Sequence, residues 1–214
     1  DVHAFARLSD DARYVYITTT NDDLIYPVSV DAQTGLFLHD RWTGTTTRIA
    51  VVPDDHIPDG SLTFSDSEAS ADGRYLLLDS DVRNLVPDDT NNKRDVFVYD
   101  RVTQTIRRIS VSNAGEQSNG KSHALQLTPD GRFALLYSDA TNLVADDTNN
   151  GFDVFLVDLA TGQIERVNVG TGGTQTGEFS DSSPYADVSD DGRYVTWNSW
   201  DDRIVPNDTN NNMD

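Results

Sequence analysis

The four residues Asp72-Gly73-Arg74-Tyr75 form a hairpin signal, and close copies of them recur along the chain. The other copies are Asp11-Ala12-Arg13-Tyr14, Asp130-Gly131-Arg132-Phe133 and Asp191-Gly192-Arg193-Tyr194. Successive copies lie 61, 58 and 61 residues apart. A fixed period of this length is typical of folds that are built from like supersecondary units. The sequence therefore predicts a repeat protein.

Each complete repeat contains four short strand signals. In the third repeat they are an alternating run at residues 124–127, an apolar run at 132–137, and two further runs at 153–158 and 163–169. The first and second repeats show the same layout, and no window shows the 3.6-residue periodicity of an amphipathic helix. We therefore expect an all-β protein of four-stranded antiparallel units.

A single four-stranded sheet of this size cannot bury both of its faces, whereas radial stacking of such sheets buries them and leaves only short edges. The sequence thus predicts one β-propeller over residues 1–214, with repeats at about 1–62, 63–121, 122–183 and a partial repeat at 184–214. A β-sandwich or barrel with accidentally similar hairpins is the alternative.

Several further segments accompany the hairpin signal: Thr141-Asn142-Leu143-Val144, Asp147-Thr148-Asn149, the strand 153–158 and the turn Thr161-Gly162. Together they resemble the WD-like propeller repeats of the TolB type, which are common in secreted and envelope proteins of bacteria. The resemblance covers essentially the whole chain. It implies one blade per repeat, with the strand before the Asp-Gly turn nearest the axis, and an extracellular or periplasmic location. It does not specify the chemistry, because such propellers serve as binding platforms, spacers and enzyme domains.

The fourth repeat is incomplete. Its first two strands are expected around residues 186–188 and 194–197, and the sequence reaches Asp214 where the third strand should begin. An open blade would expose unpaired backbone groups. We therefore expect a longer parent chain or neighbouring copies to complete the last blade.

The composition is strongly acidic, with a net charge of -20 and 36 acidic residues, of which only Glu68, Glu116, Glu165 and Glu178 are glutamates. This preference for aspartate indicates turns and metal loops, because a short carboxylate can bond to local backbone. Nucleic acid is an unsuitable partner for a chain with only 16 Lys and Arg residues, because phosphate binding needs a basic surface.

Two further features of the composition exclude other classes of protein and site. No apolar run is long enough to span a membrane. Cys is absent, which excludes disulfides and thiolate metal sites.

The loop before the third strand has oxygen ligands at positions one, three and seven of a recurring heptad. The candidate ligands are Asp89, Asn91 and Asp95 in the second repeat, Asp147, Asn149 and Asp153 in the third, and Asp208, Asn210 and Asp214 in the fourth. Such Asp-Thr-Asn loops predict calcium, which accepts six to eight oxygen ligands in flexible geometry.

Two observations limit the calcium prediction. The loops lack a bidentate Glu at position twelve, and Asp and Asn also form Asx-turns without any metal. In the first repeat Ser29, Val30, Asp31 and Gly35 stand in register with Asp89, Thr90, Asn91 and Asp95, so we expect that repeat to be metal-free.

Other candidate residues carry weaker signals. The hairpin arginines Arg13, Arg74, Arg132 and Arg193 could form bidentate pairs with loop carboxylates and so join neighbouring blades. The histidines His3, His39, His56 and His123 form no pair at metal-ligand spacing, and Trp197 is expected in the core rather than in a sugar site.

Two functional classes fit these features. The first, which the sequence favours, is a non-catalytic extracellular module, stabilised by calcium, that presents loops to a protein or glycan. The second is the propeller portion of a larger secreted hydrolase or lyase.

Overall fold

The computed structural model describes residues 5–19, 35–49, 68–175, 185–201 and 203–207, which form fourteen strands and no helix. The strands are β1 (Phe5–Leu8), β2 (Tyr14–Thr19), β3 (Gly35–Asp40), β4 (Thr45–Ile49), β5 (Glu68–Ala69), β6 (Tyr75–Ser80), β7 (Asp95–Asp100), β8 (Thr105–Arg108), β9 (Ser122–Leu127), β10 (Phe133–Ser138), β11 (Asp153–Asp158), β12 (Gln163–Arg166), β13 (Ala186–Val188) and β14 (Val195–Trp197).

The strands form successive antiparallel meanders. Blade one is β1-β2-β3-β4, blade two is β5-β6-β7-β8, blade three is β9-β10-β11-β12, and the described part of blade four is β13-β14. The first strands of successive blades lie beside one another, β1 against β5, β5 against β9 and β9 against β13. The all-β fold with four-stranded propeller blades is confirmed. The repeat boundaries near residues 62 and 183 lie outside the described residues, and the division into repeats stays a prediction.

The hairpin signal recurs because its side chains build the turn. In blade two the Ser70 hydroxyl donates to Asp72 Oδ1 at 2.7 Å, and the Arg74 backbone N–H donates to the same oxygen at 2.9 Å. The Tyr75 N–H donates to Ser70 Oγ at 2.9 Å, and Gly73 has a φ of +63°. The turns that begin at Ser9, Thr128 and Ser189 repeat these bonds.

The hairpin arginines pair within a blade. Arg74 donates to both carboxylate oxygens of Asp100, with Nη2 2.8 Å from Oδ2, and Tyr75 and Asp100 are partners across β6 and β7. Arg13 with Asp40 and Arg132 with Asp158 repeat the pair. For Arg13, Arg74 and Arg132 the expectation that the hairpin arginines join neighbouring blades is therefore wrong, since their carboxylates end the third strand of the same sheet.

The core lies between blades rather than inside them. Along β6, Leu76 and Leu78 pack towards blade one, while Leu77 packs towards blade three. Residues alternate between the two faces of a strand. A central strand with a core on both faces must therefore carry consecutive apolar residues, as β6 does over residues 75–78 and β10 over residues 133–137.

Each hairpin glycine also receives an aromatic ring from the preceding blade. A Cβ built on Gly73 would lie 2.6 Å from the Tyr14 ring, and one on Gly131 would lie 2.3 Å from the Tyr75 ring. Gly192 stands in the same relation to Phe133, also at 2.3 Å. We call this series the ring-on-glycine contacts. Any side chain at these turns would displace the ring, so glycine is required by packing as well as by its positive φ.

Replacing Gly131 by alanine tests the packing requirement. The matched control is Gly162→Ala, because Gly162 has a similar φ of +77° but no atom within 4 Å of the added Cβ. Both variants should lose about 1–2 kcal/mol from the left-handed backbone. Gly131→Ala should lose about 1–3 kcal/mol more from overpacking against Tyr75. Urea unfolding measures both, and equal losses would contradict the packing requirement.

The Arg13–Asp40 pair predicts a loss of stability in acid. The hydrogen bond from Arg13 lowers the pKa of Asp40 from 3.8 to about 2. Because the folded-state pKa is the lower one, the stabilisation is complete above the unfolded pKa and disappears as the pH falls towards the folded pKa. Thermal unfolding should show Asp40→Asn less stable than the wild type at neutral pH, with the difference shrinking between pH about 4 and about 2. A stability difference that stays constant from about pH 7 to about pH 2 would contradict this prediction.

Candidate loop site between the second and third strands

The loops that join the second and third strands of blades two and three share one backbone conformation. Asp88 and Asp146 have φ values of 62° and 58°, and Asn92 and Asn150 have values of 55° and 54°. Asp and Asn tolerate the left-handed region better than other residues with a side chain. Asn207 has a φ of 68° at the corresponding position of the fourth repeat. The recurrence of Asp and Asn in these loops thus has a backbone cause.

In blade three the loop encloses two carboxylates and one guanidinium. Arg166 Nη1 lies 3.2 Å from Asp147 Oδ1 and 3.7 Å from Asp153 Oδ2. The Asp147 and Asp153 side chains are 1% and 0% exposed. Asp153 begins β11, and Arg166 ends β12, which pairs with it. Two elements of the blade therefore bring this cluster together.

Blade two contains the same cluster. Arg108 Nη1 lies 3.6 Å from Asp89 Oδ1 and 3.3 Å from Asp95 Oδ2. The Ser110 hydroxyl donates to Asp95 Oδ1, and in blade three the Asn168 side chain donates to Asp153 Oδ1. We call each set of two aspartates and one arginine an Asp–Arg–Asp cluster.

Burial dominates the electrostatics of these clusters. It raises the pKa of Asp95 to about 6, against the opposing effects of the hydrogen bond from Ser110 and the charge of Arg108. Burial also raises the pKa of Asp147 and of Asp153. One guanidinium balances only one of the two carboxylates, so an ionised cluster keeps a net charge of about -1 in a poorly solvated place.

The candidate ligands Asn91 and Asn149 bond to the loop itself. Asn91 Oδ1 accepts from the Lys93 backbone N–H at 3.0 Å, which is an Asx-turn, and its Nδ2 donates to Asp95 Oδ2 at 2.9 Å. Asn149 Oδ1 accepts from the Gly151 N–H, and its Nδ2 donates to Asp153 Oδ1 at 3.1 Å. These bonds match the Asx-turn alternative. Within the described residues, the side chains left to hold a cation are the aspartates.

Sequence reasoning missed a glutamine that follows the fourth strand of each of these two blades and bonds to its loop. Gln117 Oε1 accepts from the backbone N–H groups of Thr90 and Asn91, both at 3.1 Å, and its Nε2 donates to the Asp88 carbonyl. Gln175 bonds in the same way to Thr148 and to the Asp146 carbonyl. The 58-residue period connects Gln117 with Gln175 and Arg108 with Arg166. Tracking polar residues at the end of the fourth strand and after it, at that period, would have found all four.

The structure does not describe the predicted ligands of the fourth repeat or the corresponding residues of the first. Asp208, Asn210 and Asp214 are outside the described residues, as are Ser29, Val30 and Asp31 of the first repeat. Within the described ranges no group of three or more His, Asp or Glu side chains is placed to hold a metal ion. Calcium binding stays a prediction.

Comparison with known proteins supports the fold. No family model matches the sequence, and no curated protein matches it. Among solved structures the chain is similar to a prolyl endopeptidase, with TM-score 0.52 and 16% identity over 94% of this chain and 25% of that one. It also aligns with TolB from Acinetobacter baumannii, with TM-score 0.49 and 16% identity over 92% of this chain and 38% of that one. A third similar structure is the β-propeller domain of the Trilobed protease from Pyrococcus furiosus, with TM-score 0.46, 11% identity and coverage of 78% and 43%.

At such identity the similarities concern the fold alone, which is that of a β-propeller. The chain spans less than half the length of each of these three proteins. The described residues contain no helix long and apolar enough to cross a membrane.

The Asp–Arg–Asp cluster can be tested with a natural control. Arg166 pairs with Phe155 across the strands, and Arg48 pairs with Phe37 at the same place in blade one, where Gly35 replaces the strand-start aspartate. Arg48 is exposed. Arg166→Gln should therefore lower the free energy of unfolding by about 3 kcal/mol, because it leaves two buried carboxylates without their cation. Arg48→Gln should change it by less than about 0.5 kcal/mol. Chemical denaturation measures both, and similar effects would contradict a structural role for the cluster.

Proposed function

We propose that this chain belongs to a non-catalytic binding module of the β-propeller type, which presents the loops between the second and third strands to a protein partner. One observation carries the proposal: blades two and three hold these loops in the same conformation from the inside, through an Asp–Arg–Asp cluster and a glutamine. The outward residues Asp88, Asn92, Asp146 and Asn150 are exposed. Preorganised loops lose little conformational entropy when they bind.

Charge favours a protein partner with a basic surface over a neutral glycan. The chain has a net charge of -20, and exposed loop aspartates add to the negative potential at this end of the blades. A basic surface would be attracted over a long distance and would dock faster at low salt. A neutral glycan gains nothing from this field. The proposal places the module outside the cytoplasm or in the cell envelope, as the TolB-type resemblance implies.

The structural use of the buried charged groups supports a non-catalytic role. Asp95 and Asp153 each accept hydrogen bonds from their own blade and face an arginine, so their ionic groups serve to hold loops. The alternative function, a propeller portion of a larger hydrolase or lyase, would require turnover by the parent protein.

Site-specific photo-crosslinking tests the binding proposal. A photoreactive residue at Asn92 or Asn150 should crosslink to a partner in extracts of the source cells. The same probe at Gln163, exposed at the other end of blade three, should not. Added salt and the double variant Asp88→Asn/Asp146→Asn should both reduce the crosslinked product, because they weaken the attraction. Equal crosslinking from Gln163, or turnover of a peptide or polyuronate substrate by the chain, would contradict the proposal.

We also propose that calcium stabilises the cluster of blade three. Asp147 Oδ2 and Asp153 Oδ2 are buried and accept no hydrogen bond from any residue that the structure describes. A divalent cation would balance the residual negative charge, with Asp147 and Asp153 as its side-chain ligands and other oxygens completing the shell. The neighbouring Arg166 opposes this binding by its charge, so the affinity should be modest.

Calorimetry and thermal unfolding test the calcium proposal. Millimolar calcium should raise the melting temperature and a chelator should reverse the rise, because a ligand of the folded state stabilises it by mass action. Asp153→Asn should abolish the rise. Asp146→Asn, in the same loop but exposed, should keep it. Absence of both binding heat and a temperature shift would exclude calcium and leave the loops as Asx-turns.

A further inference from the structure

The outer edge of blade three is contacted by one side chain from the connection that leads into the blade. The strand β12 is the last in the order β9-β10-β11-β12, so one of its edges faces out of the sheet. At this edge Asn113 Nδ2 donates to the Ile164 carbonyl at 2.9 Å, and the Ile164 N–H donates to Asn113 Oδ1 at 2.8 Å. Asn113 belongs to the connection between β8 and β9. A residue outside the sheet therefore pairs both backbone groups of Ile164.

The Asn113 side chain takes the place of a peptide group. A carboxamide offers a carbonyl acceptor and N–H donors, as the backbone does. In an antiparallel pair, a residue and the hydrogen-bonded residue opposite it exchange both of their N–H···O bonds. Asn113 makes the same two bonds with Ile164. It thus fills, at one residue, the position that a fifth strand would occupy.

A short turn over residues 112–116 holds Asn113 in position. The Ser112 N–H donates to the Glu116 carbonyl at 2.9 Å, and the Gly115 N–H donates to the Ser112 carbonyl at 2.8 Å. Ser112 Oγ accepts from the N–H groups of Ala114 and Glu116 at 3.2 and 3.1 Å. None of these bonds uses the side chain of Asn113. The turn should therefore keep its shape when that side chain is replaced.

The sequence of β12 suits pairing with a second copy of itself. An antiparallel pair with the two Ile164 residues opposite each other places Gln163 opposite Glu165. A register with Ile164 opposite Arg166 would place the two Glu165 carboxylates opposite each other, and like charges in that position are destabilising. The favourable register is therefore the one that needs the backbone groups of Ile164, and Asn113 occupies these groups.

We propose that the outer edge of β12 is a strand-addition site that Asn113 keeps closed, and that the occupant it excludes is β12 of a second copy of this chain. A free strand edge is a template for pairing with another chain, and proteins protect such edges. Two identical edges meet in a symmetric contact in which each contributes the same residues. This inference goes beyond the proposed function, because it concerns the outer edge of blade three and not the loops between the second and third strands.

Replacing Asn113 by alanine tests the proposal. Asn113→Ala should associate with itself at least about tenfold more strongly than the wild type, because the edge is then free to pair. Sedimentation velocity at several concentrations measures this association. About 0.15 M salt is needed, because it screens the repulsion between two chains of net charge -20. A peptide with the sequence of residues 161–168 should compete for the edge and reduce the association.

Two further variants serve as controls. Ala114→Gly changes an exposed residue of the same turn and should leave association unchanged. Asn113→Asp keeps an acceptor for the Ile164 N–H but loses the donor to the Ile164 carbonyl, so its association should fall between those of the wild type and Asn113→Ala. Circular dichroism should show the same fold for every variant.

Hydrogen exchange locates the contact. In dilute Asn113→Ala the Ile164 amide should exchange at least about tenfold faster than in the wild type, because its hydrogen bond is lost. The amide of Leu156, in the adjacent strand β11, should not change. At high concentration the pairing of two edges should protect the Ile164 amide again.

Three results would overturn the proposal. A protected Ile164 amide in dilute Asn113→Ala would show that Asn113 does not close the edge. A monomeric Asn113→Ala with a fast-exchanging Ile164 amide would show that the open edge does not accept a second copy. Association that neither protects Ile164 nor responds to the peptide would place the contact on another surface.

Discussion

Burial of both sheet faces is the constraint on which the rest of this structure depends. A blade whose second strand is apolar on both sides, as β6 is with Leu76 and Leu77, is stable only between two neighbours. The hairpin turn of a blade must then lack a side chain at the point where the preceding blade packs against it. Gly73 and Gly131 meet this requirement because a Cβ would collide with a ring of the preceding blade. Sequence period, turn composition and core position thus have one physical origin.

This origin explains how much of the structure the sequence could predict. Strand order, hairpin turns and the blade architecture follow from local patterns that repeat, so they were predictable. The partner of Arg74 was not, because a hairpin arginine can reach a carboxylate in its own sheet or in the next, and only the register of Tyr75 with Asp100 decides. The loop cluster was missed for a similar reason. Arg166 lies 13 residues after Asp153, and the pairing of β11 with β12 brings the two together. The seven-residue loop motif that predicts calcium ends at Asp153 and carries no information on that pairing.

Blade one shows that the cluster residues depend on one another. It has Gly35 where the other complete blades have the buried Asp95 and Asp153. Its Arg48 is exposed, whereas the side chains of Arg108 and Arg166 are only 7% and 10% exposed. A guanidinium is costly to bury without a carboxylate, so loss of the aspartate removes the reason for burying the arginine. The chain therefore contains its own comparison between blades with and without the cluster, and blade one retains its four strands without it.

The excess of aspartate over glutamate follows from the same short-range bonding. Asp72 accepts bonds from residues two positions away on either side, and Asp100 accepts from the Val102 N–H while it pairs with Arg74. Asp95 accepts from Ser110 and from Asn91. Each geometry needs a carboxylate one methylene from the backbone, and glutamate would place its oxygens beyond the local N–H groups. Part of the net charge of -20 is therefore used inside the turns and strand ends. Other aspartates reach solvent, among them Asp88 and Asp146, whose backbone carbonyls accept hydrogen bonds from Gln117 and Gln175 while the residues themselves stay exposed.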